Sequence, residues 1–272
     1  MRILHCGDIV GRVAREALSA AIPGLRRDLH LDFVVANGEN AAHGFGITET
    51  ICAELYASGV DVVTTGNHIW DRREIMPYIG GDPRLLRPIN FPQGTPGNGF
   101  GIYSLADGRK IMVVNAMARL FMDAIDDPFA AVDKLLGQHP LGSVAAILLD
   151  FHGEASSEKT SMGHFCDGRA SAVLGTHCHV PTADHRVLIG GTAYQTDVGM
   201  CGDYDSVIGM TKGPAIARFV RKVPGDRLEV SPGEPTICGA LIETDDATGL
   251  ARGIWPLRLG GKLAPVMPPA GP

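Results

Sequence analysis

Long apolar runs are missing from this sequence: no segment approaches the roughly 18 residues that a membrane span requires. Missing too are the charged start, apolar middle and small-residue cleavage site of a signal peptide, since Met1-Arg2-Ile3-Leu4-His5-Cys6-Gly7-Asp8 reads as a short strand. No dense Lys/Arg run occurs and the net charge is −6, so the electrostatic footprint of a duplex-binding surface is absent. A single nucleotide or a short RNA end remains a feasible anionic ligand. The six cysteines (Cys6, Cys52, Cys166, Cys178, Cys201, Cys238) form no C-x-x-C pair, in a chain large enough not to need staples. Together these absences lead us to expect free thiols, a cytoplasmic location and no membrane or duplex partner.

What is present is core. With 45% hydrophobic and 20% charged residues, 272 residues suffice for one large domain, read as spanning 1–262. The tail 263–272 holds four prolines and is expected to be disordered. The N-terminal part alternates strand and helix: Ile3–Cys6, then apolar residues from Ala14 to Leu29 at helical spacing with Pro23 a kink or break, then Phe33–Ala36. Thr48 caps a helix running to about Ser58, and Val60–Thr65 is a third strand. This order implies parallel strands with functional loops at their carboxyl ends.

Residues 70–108, rich in Pro and Gly, read as an irregular excursion with short helical or hairpin pieces. Further buried strands are expected at Ile111–Asn115, Val144–Asp150 and Ala170–Gly175, and a helix at Pro128–Leu136. Val187–Ile189 and Thr192–Thr196 suggest a hairpin, and a helical piece lies near Pro214–Arg221. Strands around Arg227–Val230, Thr236–Glu243 and Ala251–Leu257 are expected to complete a second sheet. Loops 70–108, 116–130 and 200–215 are candidate lids. Leu120, Phe121 and Met122 suit a lid or a subunit contact, which leaves a homo-oligomer open.

Chemistry concentrates where apolar runs end. Five of them finish in polar punctuation: Gly7-Asp8, Gly38-Glu39-Asn40, Gly66-Asn67-His68, Phe151-His152 and His177-Cys178-His179. Singly, each has a structural reading: Asp8 a helix cap, Glu39 and Asn40 solvated turn residues, Asn67 an Asx-turn, His152 a hydrogen-bonded core histidine. Jointly, at the same end of one parallel sheet, they form a metal site. In extended backbone His177 and His179 point the same way and Cys178 points away. Oxygen and nitrogen donors without thiolates suit Mn²⁺, Fe or Zn²⁺. Seven such side chains exceed the need of one tetrahedral ion but fit two ions sharing a carboxylate, an arrangement suited to phosphoryl chemistry.

The order G-D, G-E-N, G-N-H, H, G-T-H-x-H resembles the calcineurin-like metallophosphoesterase superfamily over residues 1 to about 200. Gly38-Glu39-Asn40-Ala41-Ala42-His43-Gly44, Arg87-Pro88-Ile89-Asn90-Phe91-Pro92, Asp167-Gly168-Arg169-Ala170-Ser171-Ala172-Val173 and Thr196-Asp197-Val198-Gly199-Met200 look like its bacterial YmdB-type branch. The resemblance implies an α/β fold, a four-layer α/β/β/α sandwich with two mixed sheets and the metal site at the carboxyl ends of the strands. It implies a di-iron or similar dinuclear centre, with manganese or zinc as alternatives, and phosphodiesterase activity on 2′,3′-cyclic and also 3′,5′-cyclic nucleotides. By position, Asp8, Asn40 and His179 would hold one metal, Asn67, His152 and His177 the other, and Glu39 would bridge. Val10 stands where the wider superfamily has a histidine, and Asn40 is its natural replacement.

The mechanism so implied has a metal-bridging hydroxide attack phosphorus while His68 protonates the leaving ribose oxygen, a role suited to histidine's ordinary pKa of about 6.5. A phosphate-binding or ligand-supporting role is the alternative for His68. His43, Asp71 and Arg169 are weaker substrate-binding candidates. Two other readings stand beside the phosphodiesterase: a regulatory protein that binds a nucleotide or RNA end with little turnover, and a nucleotidase or phosphomonoesterase.

Overall fold

A computed structural model describes residues 1–221 and 225–271. From the N-terminus, β1 (Arg2–Cys6) and the two-residue β2 (Asp8–Ile9) lead into α1 (Gly11–Asp28), followed by β3 (Phe33–Asn37), α2 (Glu49–Ser58), β4 (Val62–Thr64) and the short α3 (Ile75–Ile79). The middle of the chain gives β5 (Phe100–Ser104), β6 (Lys110–Met117), α4 (Pro128–Gln138), β7 (Ala146–His152), α5 (Ser156–Phe165) and β8 (Ala172–Thr176). The last part adds β9 (Arg186–Val187), β10 (Ala193–Gln195), β11 (Met200–Cys201), α6 (Lys212–Arg221), β12 (Ile237–Thr244) and β13 (Ala251–Leu259).

Among the described residues the strands form two mixed sheets and a small parallel pair of β2 with β11. One mixed sheet has the order β13-β12-β1-β3-β4, with β1, β3 and β4 parallel; the other has the order β5-β6-β7-β8-β10-β9, with β6, β7, β8 and β10 parallel. Alternation along each strand then sorts the core into three layers. Ile3, Phe33 and Val35 of one sheet meet Ala146, Leu148, Ala172 and Leu174 of the other between the sheets. Leu4, Val34 and Ala36 face outward onto α1 and α2, while Ile147, Leu149 and Val173 face outward onto α4 and α5. This is the four-layer α/β/β/α sandwich.

Local chemistry sets the helix ends. The Thr48 hydroxyl accepts from Ile51 N at 3.3 Å and starts α2, which Gly59 stops at φ 107°, a conformation that favours glycine. Asp127 accepts from Phe129 N at 2.9 Å, with Pro128 in the first turn of α4.

Several expectations need correction. Pro23 does not break α1: it sits on the exposed face, while Ala14, Leu18, Ile22 and Leu25 stay buried along one stripe. The strand ends of the site come from both sheets rather than one, and β12 and β13 extend the N-terminal sheet, through β1, instead of completing the second. Arg227–Val230 forms no strand beyond a single bridge from Val230 to Met210. In the tail Val266 bridges to Arg258 and Pro269 O accepts from the Arg2 guanidinium at 2.6 Å, and Pro272 lies outside the described residues. Among the described residues no helix is long and apolar enough to cross a membrane.

Candidate metal centre

The carboxyl ends of β1, β3 and β4 from one sheet and β7 and β8 from the other converge on one buried polar cluster. Its centre is His152 Nε2. Glu39 Oε1, Asn67 Oδ1 and His177 Nδ1 each lie 3.1 Å from it. Crowding explains why position 66 carries no side chain: a Cβ on Gly66 would stand 2.2 Å from the His152 ring and 2.3 Å from Glu39 Oε2.

A second group of donors lies on the other side of Glu39. Its Oε1 accepts from the Asn40 side-chain amide at 3.2 Å, and that amide is 3.2 Å from His179 Nε2. Turned by half a rotation, the amide presents oxygen to the same place. Asp8 adjoins both, its Oδ2 accepting from His177 N at 3.1 Å, its Oδ1 standing 3.7 Å from His152 Nδ1 and its charge felt by His179. The structure thus brings all seven expected ligands into one cluster, in which ligand atoms of Glu39, His152 and His177 lie within 4.8 Å of one another.

The histidine pair arrives by a different route from the one expected. His177 and His179 both adopt positive φ, 98° and 64°, so the loop is not extended and left-handed backbone at both positions turns the imidazoles inward. His179 is steadied by Ile208 O, 2.9 Å from its Nδ1, which places the 200–215 loop against the site. Cys178 does turn away, its sulfur meeting Lys159 Nζ at 3.4 Å.

Burial pushes the Asp8 carboxyl up to about 6, with His179 and His152 pulling it down. Burial would raise Glu39 as well, but His152, His68 and His177 hold it down at about 2. Burial lowers His177 to about 3, helped by His152, whereas Glu39 and Asp8 raise His152 to about 9 against its own burial.

These residues fit a cation. Asp8 Oδ1 is buried and receives no hydrogen bond, a condition that costs about 1–3 kcal/mol or more for a charged group. A divalent ion satisfies it, and the oxygen and imidazole donors around it suit such ions.

A buried network missed in the sequence lies beneath the donors. His152 Nδ1 is 2.9 Å from Thr176 Oγ1, and that hydroxyl donates to Asp150 Oδ1 at 2.6 Å. Asp150 Oδ2 accepts from Thr64 and Asn37, lies 3.3 Å from His5 Nε2, and Asn37 Oδ1 in turn accepts from Glu39 N at 3.1 Å. One carboxylate therefore ties together the ends of β3, β4, β7 and β8, and with Nδ1 held by Thr176, Nε2 of His152 is the nitrogen offered to the site. The signal in the sequence was an acid at Asp150 and an imidazole at His5, each interrupting an apolar strand.

Around the donors, His68 N donates to Glu39 Oε2 at 3.2 Å, and His68 Nδ1 pairs with Asp71 Oδ2 at 2.8 Å. Asp71 thus reaches the site through His68. His43 is exposed, at φ 58°, and faces a neighbouring cleft rather than the donors. Arg169 is not brought to the site: it precedes β8 at the opposite edge of the sheet and pairs with Asp133 at 2.8 Å.

Known proteins resemble this chain in sequence and fold. A family model described as YmdB-like protein matches residues 4–257. The chain is 47% identical over 248 residues to a 2′,3′-cyclic-nucleotide 2′-phosphodiesterase of Bacillus subtilis, covering 91% of this chain and 93% of that one. A solved structure of a hypothetical protein from Thermus thermophilus superposes with a TM-score of 0.89 at 39% identity, covering 96% of this chain and all of that one. A structure titled as a novel phosphatase from Mycoplasma pneumoniae gives 0.88 at 28%, covering 96% and 93%. With its sequence matched over most of its length and its fold in agreement, the chain belongs to the YmdB-like protein family.

Proposed function

We propose that this protein is a divalent-metal-dependent phosphodiesterase that hydrolyses 2′,3′-cyclic nucleotides, with 3′,5′-cyclic nucleotides as a further substrate class. The observation that carries this reading is the donor cluster around Glu39, with Asn67 and His177 about His152 Nε2, Asn40 and His179 adjoining, and Asp8 against His177; we assign Asn67, His152 and His177 to one ion and Asp8, Asn40 and His179 to another, with Glu39 bridging. The Bacillus subtilis relative, named for the 2′,3′-cyclic activity, supports it. Two divalent ions held there, iron first with manganese or zinc as alternatives, would supply Lewis acidity toward the phosphate oxygens and a nucleophile at neutral pH.

The chain itself supplies the proton. Asp71 takes Nδ1 of His68, which leaves Nε2 to donate to the ribose oxygen as its bond to phosphorus breaks. The Glu39 carboxylate, accepting from His68 N, sets the distance between that imidazole and the donor groups. Water contributes its oxygen to phosphorus, the ribose oxygen leaves as a hydroxyl, and a phosphomonoester results.

The test is metal analysis of the purified protein, followed by hydrolysis of 2′,3′-cyclic nucleotides, 3′,5′-cyclic nucleotides and a phosphomonoester. Bound metal with preference for the cyclic diesters is expected. Hydrolysis that survives both metal stripping and Glu39→Gln overturns the reading. A second reading as a phosphomonoesterase is favoured by the phosphatase title of the Mycoplasma pneumoniae structure, and faster turnover of the monoester would establish it. Tight metal-dependent nucleotide binding without turnover would instead mark a regulatory protein.

A further inference from the structure

A cleft of about 530 Å³ adjoins His68, within the size range of ligand pockets, and its walls include Arg12, Phe45, Arg72, Arg227 and Val230. It shares a wall with the metal centre: the Phe45 ring meets the His68 ring edge-on with centroids 5.0 Å apart. Asn40, whose side chain belongs to the donor cluster, accepts on its backbone oxygen from Gly11 N at 2.9 Å and Gly44 N at 3.1 Å, in the segments that flank the cleft.

The cleft is cationic in a chain of net charge −6. Three guanidiniums face one carboxylate in its lining, Glu229, and Glu16 only approaches Arg12, at 3.8 Å. Arg72 is pinned by Phe45 O at 3.0 Å and Ala42 O at 2.7 Å, and with five N–H donors it keeps others for a ligand. Fixed guanidiniums recognise phosphate by paired hydrogen bonds. A nucleoside 2′,3′-cyclic phosphate has a single phosphate, and the donor cluster takes it. The arginines call for a second.

We infer that this cleft binds the phosphodiester that joins the last nucleotide of an RNA 3′ end to its neighbour, with Phe45 offering a ring for the neighbouring base. The substrate class is then RNA ends carrying a 2′,3′-cyclic phosphate. This rests on the phosphodiesterase reading above.

The experiment compares kcat/KM of the metal-loaded enzyme on three substrates: a nucleoside 2′,3′-cyclic phosphate, the same with a 5′-phosphate, and a dinucleotide ending in the cyclic phosphate. The dinucleotide is expected to exceed the nucleoside by about tenfold, mostly through KM. The double variant Arg12→Ala, Arg227→Ala, at two exposed positions, is expected to bring that ratio close to one. An advantage that persists in this variant overturns the role of the arginines, and an equal gain from the 5′-phosphate alone overturns the RNA-end assignment. Equal values for all three overturn the inference and leave the phosphodiesterase reading standing, whereas no turnover of any substrate removes both.

Discussion

Along the amino-terminal edge of the sheets, arginines meet carboxylates directly. Arg2 binds Glu243 at 2.7 Å, Arg26 pairs with Asp61, and Arg109 gathers Asp32, Asp107 and Asp246 within 3.1 Å. At the carboxyl-terminal edge, Asp8 and Glu39 have no Lys or Arg at ion-pair distance among the described residues; imidazoles and amides surround them instead. The two edges belong to the same strands and differ in what balances their charge. Paired within the chain, charge at the amino edge is structural; at the carboxyl edge Lys159 pairs with Asp197, but Asp8 and Glu39 stay available to a ligand, at a cost in buried polar groups.

Glu39→Gln attacks this contrast at its strongest point, because it removes the carboxylate in contact with His152, Asn40 and His68 N together. Hydrolysis of a cyclic nucleotide is expected to fall by about 10²–10³-fold or more, and chelation of the wild type should do the same until a divalent ion is restored. His68→Gln is expected to cost about 10²-fold on a substrate with a ribose leaving group and far less on an aryl phosphodiester, whose phenolate needs no proton. An equal loss on both would assign His68 to binding. Asp150→Asn should weaken metal affinity by about 10–100-fold, measured by calorimetry, with the fold intact by circular dichroism. Arg169→Ala, at the opposite edge, should change stability by no more than about 1 kcal/mol and leave hydrolysis unaltered. A fall in hydrolysis there would break the contrast between the edges.

Much of this was legible in the sequence. The seven donors are read as one set because each follows an apolar strand, and helices α2 and α4 carry their caps in plain view at Thr48 and Asp127-Pro128. Sheet membership was not legible: β12 pairs with β1 across more than two hundred residues, and nothing local in Ile237–Thr244 names its partner. Helix α5 escaped because its buried positions include Glu158 and Lys159, so the apolar period is broken by charges that find their partners only in the fold: Lys159 meets Asp197 at 2.8 Å, and Glu158 accepts from Arg119 N and Leu120 N. The Asp150 network was hidden for the same reason. Arg169 misled because its surrounding string matches the family pattern while its place is set by the amino end of β8.

Asn40 serves two neighbourhoods at once, with its side chain among the donors and its backbone oxygen holding the segments at Gly11 and Gly44. Binding free energies depend only on end states, so any change of cleft affinity produced by loading the ions must be matched, factor for factor, by a change of ion affinity produced by a ligand in the cleft. An ion titration carried out with and without an oligonucleotide therefore measures the same coupling as an oligonucleotide titration carried out with and without ions. On the inference of an RNA-end cleft, Asn40 is the residue through which such a coupling would pass, because it has atoms in both neighbourhoods.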